Sequence, residues 1–174
     1  YTKLPIRGFD VSEAALKQFK KAKGVPASME EIMSDCELVI MTTGKRNLIK
    51  PSMITKGQII LPLSNPYPEI TIEDALNAGA SYASDGTRVN NLLGYPGIFK
   101  GALDVHATKI TIEMLIAASE AIAFQAPDGD VVPEVLLPEV HEAVSQAVSE
   151  AAIKCKVAKN IPDFARFQHL RPKK

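Results

Sequence analysis

Three short apolar runs in the first hundred residues are each followed by a polar turn. The runs are 37–42, 58–63 and 80–83, and the turns after them are Thr43-Gly44, Ser64-Asn65-Pro66 and Ser84-Asp85-Gly86. Short apolar runs bounded by turn residues are typical of buried strands in a parallel sheet. The pattern therefore predicts three parallel strands whose carboxyl ends open into polar loops, and sheets of this kind bind ligands at that edge.

Helix-start signals lie before and between these runs. Asp10, Ser28 and Thr71 are each followed three residues later by an acidic residue, which predicts a capping box at each position. The helix after Thr71 is expected to end at Gly79 and to form a strand–helix–strand unit with its neighbouring runs, which implies a right-handed crossover between parallel strands. Residues 1–9 are too few and too mixed to assign.

The character of the chain changes after Pro96. Helical apolar patterns occupy 98–105, 111–124 and the stretch that follows Pro138. The pattern over 111–124 is apolar nearly all round, which predicts burial between layers or against another domain. The fold class predicted is α/β, with a partial doubly wound (Rossmann-like) parallel sheet followed by C-terminal helices.

Composition narrows the classes of function. Twenty Lys and Arg balance twenty Asp and Glu, so the chain gives no electrostatic reason to expect nucleic acid or an anionic membrane as partner. No apolar run is long enough to cross a membrane. Cys36 and Cys155 lie far apart without metal-ligand spacing, and we expect them to be reduced, partly buried thiols. These features predict a soluble, cytoplasmic protein.

Polar side chains at the predicted strand ends are the candidate ligand-binding groups. Asn65, stiffened by Pro66, offers a donor and an acceptor to a carboxylate or hydroxyl, although an Asn before Pro often only caps its own turn. Asn90 and Asn91 could together fix a polyoxygenated small molecule, with Asn91 pointing inward, or could cap a turn. Thr43-Gly44 could present backbone N–H groups to a nucleotide, or could serve loop geometry alone.

Two longer strings resemble the malic enzyme family. Residues 63–70, LSNPYPEI, resemble the family's ANP-x-PEI signature, and residues 89–105, VNNLLGYPGIFKGALDV, resemble its VNN-x-L-x-FPGIFRGALDV segment. The likeness runs in order, almost without gaps, from about residue 28 to about residue 158. It implies that residues 1–105 are the C-terminal part of an NAD(P)-binding Rossmann-like domain. Residues 106–174 would then be a helical region that packs on the sheet or on a catalytic domain outside this sequence.

The resemblance also implies an activity and a set of site residues. Malic enzymes oxidise L-malate with NAD or NADP and a divalent cation, Mg or Mn, and decarboxylate the product to pyruvate. Carried over, Asn65 and Asn91 bind the malate carboxylate near the nicotinamide, with Asn90 adjacent. Thr43, Gly44 and Asn65 border the cofactor. Family members form dimers and tetramers, which implies a homo-oligomer.

Several family features have no counterpart in residues 1–174. The catalytic tyrosine and lysine, the acidic metal ligands and the glycine-rich dinucleotide loop are missing, and the chain begins at Tyr1 without Met. We therefore expect this chain to be a fragment that does not turn over malate alone. None of its residues is assigned a catalytic or metal-binding role. Two alternatives stay open: a malolactic enzyme, which releases lactate, and a non-catalytic nucleotide-binding module. The sequence does not separate NAD from NADP.

Overall fold

The computed structural model describes residues 4–160. These residues divide into two compact units between Thr87 and Arg88, and each unit has its own buried apolar cluster. Among the helices of residues 4–160, none combines the length and the apolar character that crossing a membrane requires. Cys36 and Cys155 are free and half-buried, as predicted.

The first unit alternates strands and helices. In chain order its elements are β1 Arg7–Gly8, α1 Glu13–Lys21, β2 Val25–Pro26, α2 Met29–Asp35, β3 Leu38–Met41, a 3-10 turn Pro51–Met53, β4 Ile59–Pro62, α3 Ile72–Asn77 and β5 Tyr82–Ala83. Parallel pairing joins β1 with β2, and joins β3 with β4 and β4 with β5. The predicted α/β class with parallel strands is confirmed.

The core of this unit lies against the sheet of β3, β4 and β5. Val39 and Met41 of β3 are buried while Leu38 and Ile40, which alternate with them, are exposed, as in a strand with one covered face. Ile60 of β4 is fully buried. The three predicted strands are therefore present, each shorter by one or two residues at its ends than the apolar run that predicted it.

The helix starts test the predicted capping boxes. At Ser28 the prediction is confirmed, because the Ser28 hydroxyl accepts from the Glu31 N–H and the Glu31 carboxylate accepts from the Ser28 N–H. At Asp10 it is wrong: Ser12 is the N-cap of α1, and Asp10 instead accepts from the Ser12 N–H at 2.7 Å. Thr71 caps α3 and accepts from the Asp74 N–H at 3.1 Å, but the predicted capping box is incomplete, because the Asp74 carboxylate accepts from the Thr71 hydroxyl at 2.8 Å and not from its backbone N–H.

The second unit is helical. It comprises a 3-10 turn Asn91–Leu93, then α4 Tyr95–Asp104, α5 Ile112–Phe124 and α6 Pro138–Lys154. Helix α6 packs against both α4 and α5, and its Val140, Val144 and Val148 are almost fully buried. One side of α5 is buried through Met114 and Ala118, but Ile112 and Phe124 are exposed. Within residues 4–160 the helix is therefore not buried between layers, and burial against another domain stays a prediction.

The boundary between the compact units differs from the predicted domain boundary at residue 105. Helix α4 belongs to the second unit because it packs on α6. Residues 161–174 of the predicted helical region lie outside the described residues. The assignment of 1–105 and 106–174 as functional domains stays a prediction.

Candidate cofactor and substrate site

The carboxyl ends of β3 and β4 lie side by side at one edge of the sheet. The parallel register sets Met41 beside Pro62, and the Leu63 N–H donates to the Met41 carbonyl at 2.9 Å just beyond the strands. The Thr43-Gly44 turn follows β3, and Ser64 and Asn65 follow β4, with a cis peptide bond between Asn65 and Pro66. Strand order and register thus bring these two predicted segments to the same edge.

A buried carboxylate links the two segments. Glu69 is 0% exposed, and its Oε1 accepts hydrogen bonds from the Thr43 N–H at 2.7 Å, the Thr43 hydroxyl at 2.8 Å and the Ser64 hydroxyl at 2.6 Å. Ser64 Oγ in turn accepts from the Gly44 N–H at 2.8 Å. Glu69 therefore joins the end of β3 to the loop that follows β4.

The environment of Glu69 favours its charged form. Burial acts to raise the pKa of Glu69, but the hydrogen bonds from Ser64 and Thr43 outweigh that effect and lower the pKa below its ordinary value. The three donors all meet at Oε1, while the buried Oε2 has no hydrogen-bond partner among residues 4–160. The carboxylate is thus held as an anion by hydrogen bonds at one oxygen.

The backbone donors of the Thr43-Gly44 turn are engaged inside the protein. The N–H groups of Thr43 and Gly44 donate to Glu69 and Ser64, and that of Lys45 donates to the Thr43 hydroxyl at 3.2 Å. These bonds favour the alternative in which the turn serves loop geometry, and contact of Thr43 and Gly44 with a cofactor stays a prediction. Gly44 in this turn has φ +69°, and a Cβ added to it would meet no heavy atom of the described residues within 4 Å. The turn therefore has open space beside its backbone at this glycine.

Asn65 is exposed and fixed by one hydrogen bond. Its Nδ2 donates to the Gly86 carbonyl at 3.1 Å, which orients the amide and leaves the second Nδ2 hydrogen as a donor and Oδ1 as an acceptor. Gly86 is buried against this loop: an added Cβ would lie 2.4 Å from the Leu63 carbonyl oxygen and 2.7 Å from Asn65 Nδ2. Glycine is therefore required at position 86 for the Asn65 side chain to keep this place.

Asn90 and Asn91 belong to the second unit and differ in their surroundings. Asn90 is the N-cap of the 3-10 turn, and its Oδ1 accepts from the Leu92 N–H at 2.8 Å. The capping alternative therefore applies to Asn90. Asn91 is the first residue of the turn and is exposed, whereas Leu93 is buried. The expected inward orientation of Asn91 is not found within residues 4–160.

A family model described as the malic enzyme NAD binding domain matches residues 54–161. The chain belongs to the malic enzyme family. The match spans β4, Asn65, Glu69 and the Asn90-Asn91 pair, and begins after Thr43-Gly44. The resemblance stated from the sequence is thereby confirmed.

Individual relatives agree with the family match. The chain is 52% identical over 149 residues to NAD-dependent malic enzyme 1 of Bacillus subtilis, in an alignment that covers 85% of this chain and 34% of the relative. It is 39% identical over 144 residues to the bifunctional malic/malolactic enzyme of the same organism, over 76% of this chain and 35% of the relative. The crystal structure of a malic enzyme from Pyrococcus horikoshii superimposes with a TM-score of 0.73 at 37% identity, over 83% of this chain and 36% of that one. The chain thus spans about a third of the length of these malic enzymes.

The sequence pattern did not identify Glu69, although a signal was present. Glu69 stands between Pro68 and Ile70 in the string that resembles the family signature, and a charged side chain that is fully buried, as this one is, needs partners. Arg46 was also overlooked. Its guanidinium lies 4.9 Å from the centre of the Tyr67 ring, a second contact between the two loops.

No group of three or more His, Cys, Asp or Glu side chains within residues 4–160 is placed to hold a metal ion. The residues described here do not fit the divalent cation that malic enzymes are expected to use. Open space at Gly44 and an exposed amide at Asn65, which follow neighbouring strands, are compatible with a nucleotide at this edge of the sheet.

Proposed function

We propose that this chain is the cofactor- and malate-binding part of a malic enzyme, which oxidises L-malate to pyruvate and CO2 while reducing NAD or NADP. The observation that carries the proposal is the family match across residues 54–161, which includes an exposed, oriented amide at the carboxyl edge of a parallel sheet. A dinucleotide laid across such an edge is the usual arrangement in this fold class. When bound, the cofactor accepts a hydride from the substrate.

Within the first unit, we assign cofactor contact to the Thr43-Gly44 turn and to Asn65. Gly44 lets a cofactor approach the backbone closely, and Thr43 holds the turn in place through Glu69. The bond from Asn65 Nδ2 to the Gly86 carbonyl orients the amide. The second Nδ2 hydrogen then donates to the malate carboxylate, and Oδ1 accepts from a hydroxyl of the cofactor or of malate. These roles position the reactants and require no charge change at any of the three residues.

In the second unit, Asn91 is the stronger candidate for binding malate. The Asn90 side-chain carbonyl oxygen is engaged by the turn, so Asn90 contributes chiefly by holding Asn91 in place. An exposed amide donates well to a carboxylate, and hydrogen bonds to charged groups are the strong ones.

The divalent cation, Mg or Mn, and the acid and base that malate oxidation needs are proposed to come from polypeptide beyond residues 1–174. The support is twofold: the matched malic enzymes are about three times as long as the matched segment, and residues 4–160 hold no suitable cluster. On this proposal the chain does not turn over malate without that polypeptide.

We further propose that the protein is a homo-oligomer in the cytoplasm and has no nucleic-acid or membrane partner. Exposed apolar side chains on α4 and α5, among them Leu103, Ile112 and Phe124, need a covering surface. The two free cysteines agree with a reducing compartment, and the zero net charge agrees with a small-molecule substrate.

The test is a turnover assay of the polypeptide as its gene encodes it, with malate, manganese and either NAD or NADP. Malate-dependent formation of the reduced cofactor with pyruvate as product supports the proposal. Lactate as product without net reduction of the cofactor would instead indicate malolactic chemistry, which a bifunctional relative makes worth measuring. Cofactor binding without turnover would indicate a non-catalytic module.

Asn91→Ala tests the malate site within that assay. Loss of one hydrogen bond to a charged substrate should raise the KM for malate by about tenfold to a hundredfold. Ser119→Ala is the matched control, because Ser119 is an exposed residue of the same unit whose hydroxyl donates only to the Leu115 carbonyl of its own helix. An unchanged KM in Asn91→Ala would remove Asn91 from the site.

A further inference from the structure

We propose that Glu69 is a positioning residue of this site, whose buried carboxylate fixes the Thr43–Lys45 turn and the Ser64-Asn65 loop relative to each other. The inference rests on the proposed function, since it concerns the loops that would meet cofactor and malate. Glu69 itself is fully buried and is assigned no contact with either reactant.

The need for such a residue follows from where strand pairing stops. The Leu63 N–H to Met41 carbonyl bond lies just past the paired residues of β3 and β4. Beyond it, side chains connect the two loops: Thr43 and Ser64 both donate to Glu69 Oε1, and Gly44 donates to Ser64. The carboxylate thus continues the link between the strands into the loops.

Glu69 is itself held in place by the backbone. The Ile49 N–H donates to the Glu69 carbonyl at 3.0 Å, and the Asn47 N–H donates to the Pro68 carbonyl at 3.4 Å. The next residue, Ile70, is buried in the core of the unit, and Thr71 begins α3 as its N-cap. Because its backbone is anchored on both sides, Glu69 can impose a position on the loops rather than follow them.

A carboxylate suits this place better than an amide. Three donors meet at one oxygen, and bonds to an ionised acceptor are shorter and stronger than those to a neutral one. A glutamine in place of Glu69 could accept with its carbonyl oxygen, but its NH2 group would replace Oε2, which is buried without a partner among residues 4–160. A buried donor would then be unsatisfied.

The decisive experiment compares Glu69→Gln with Gln58→Met in the polypeptide as its gene encodes it. Gln58 is the matched control, because it is a buried polar residue at the amino end of β4 with three hydrogen bonds, to Thr55, Met33 and Cys36. Both variants should lower the Tm. Only Glu69→Gln should also raise the KM for the cofactor, by about tenfold or more, since it alone weakens the charge-assisted bonds at the binding edge.

Hydrogen exchange of the backbone provides a readout that does not depend on turnover. In Glu69→Gln the Thr43 amide should exchange about tenfold faster or more, because its acceptor loses its charge. The Gly44 amide should also exchange faster, because its acceptor, Ser64 Oγ, is held in place by Glu69. In Gln58→Met neither amide should change. If Glu69→Gln does not fold, Ser64→Ala serves instead, since it removes the acceptor of Gly44 while leaving Thr43 bonded to Glu69.

The two proposals fail in different ways. A wild-type protein that does not act on malate refutes the proposed function, while the exchange comparison still decides the role of Glu69. If the amides of Thr43 and Gly44 exchange at the wild-type rate in Glu69→Gln, the positioning role is refuted. The positioning role is also refuted if Glu69→Gln and Gln58→Met raise the KM for the cofactor equally while lowering the Tm by the same amount.

Discussion

Replacing Gly86 by alanine should displace Asn65 through a single added methyl group. The new Cβ would lie 2.4 Å from the Leu63 carbonyl oxygen and 2.7 Å from Asn65 Nδ2. Both neighbours must move by roughly half an ångström or more to reach an ordinary contact. The Leu63 carbonyl belongs to the backbone next to β4 and resists that movement, so the Asn65 amide should swing away and lose its bond to the Gly86 carbonyl.

The cost can be worked from these contacts. Overpacking of this kind costs about 1–3 kcal/mol, and loss of the Asn65 hydrogen bond adds about 1 kcal/mol. For a unit of this size, a total of about 2–4 kcal/mol corresponds to a fall in Tm of about 10–20 °C. Because Asn65 is proposed to meet the reactants, the KM for malate or cofactor should rise together with the loss of Tm.

Gly57→Ala is the control for this experiment. Gly57 lies in the same unit at the amino end of β4, with φ +91° and no heavy atom of the described residues within 4 Å of an added Cβ. Its cost is backbone strain of about 1–2 kcal/mol, and it should leave both KM values unchanged. Thermal denaturation and initial rates measure the two effects. A Gly86→Ala protein with wild-type Tm and KM would show that the loop does not hold Asn65 as described.

Two further predictions concern charge and helix packing. Because the pKa of Glu69 is lowered in the folded protein, its charge stabilises the fold above its usual pKa near 4.5, and that contribution is lost as the pH falls below this value. The difference in urea midpoint between the wild type and Glu69→Gln should therefore narrow on acidification. A difference that stays constant would contradict an ionised Glu69. Gly101→Ala should destabilise the second unit by about 1–3 kcal/mol, because the added Cβ would lie 2.3 Å from the Ser145 carbonyl oxygen on α6. This is the opposite of the usual stabilising effect of alanine in a helix. A raised Tm would contradict the close packing of α4 on α6.

The strands of the first unit could be predicted because each is an apolar run that ends at turn residues. Leu63, at the end of the second run, lies outside β4 although it is apolar, because the paired register of β3 and β4 ends at Pro62. The strands β1 and β2 could not be predicted, since two residues have no period to detect. At α1, Asp10 and Ser12 are both capable caps, and spacing alone chose the wrong one.

The location of the candidate site could be predicted, whereas the hydrogen bonds within it could not. Parallel strands end at one edge, so Thr43, Gly44 and Asn65 were expected there. The Thr43 N–H is occupied by Glu69, which is 26 residues away in the chain, and the Gly44 N–H is occupied by Ser64. A contact at that separation leaves no periodic signal, and hydrogen-bond donors that pattern analysis treats as free can be occupied by such a partner.

The placement of Glu69 also changes how charge acts at this edge. A carboxylate near a site for phosphates and malate would repel them, but its Oε1 is surrounded by three donors inside the protein. The positive side chains of Lys45 and Arg46, which follow the turn directly, are exposed. Glu69 and the two hydroxyls bonded to it thus occupy the backbone donors of the turn. On the proposed function, the attraction for an anionic ligand would come from the side chains of Lys45 and Arg46. Gly44 would then contribute open space for the cofactor, and the loop after β4 would contribute the oriented amide of Asn65.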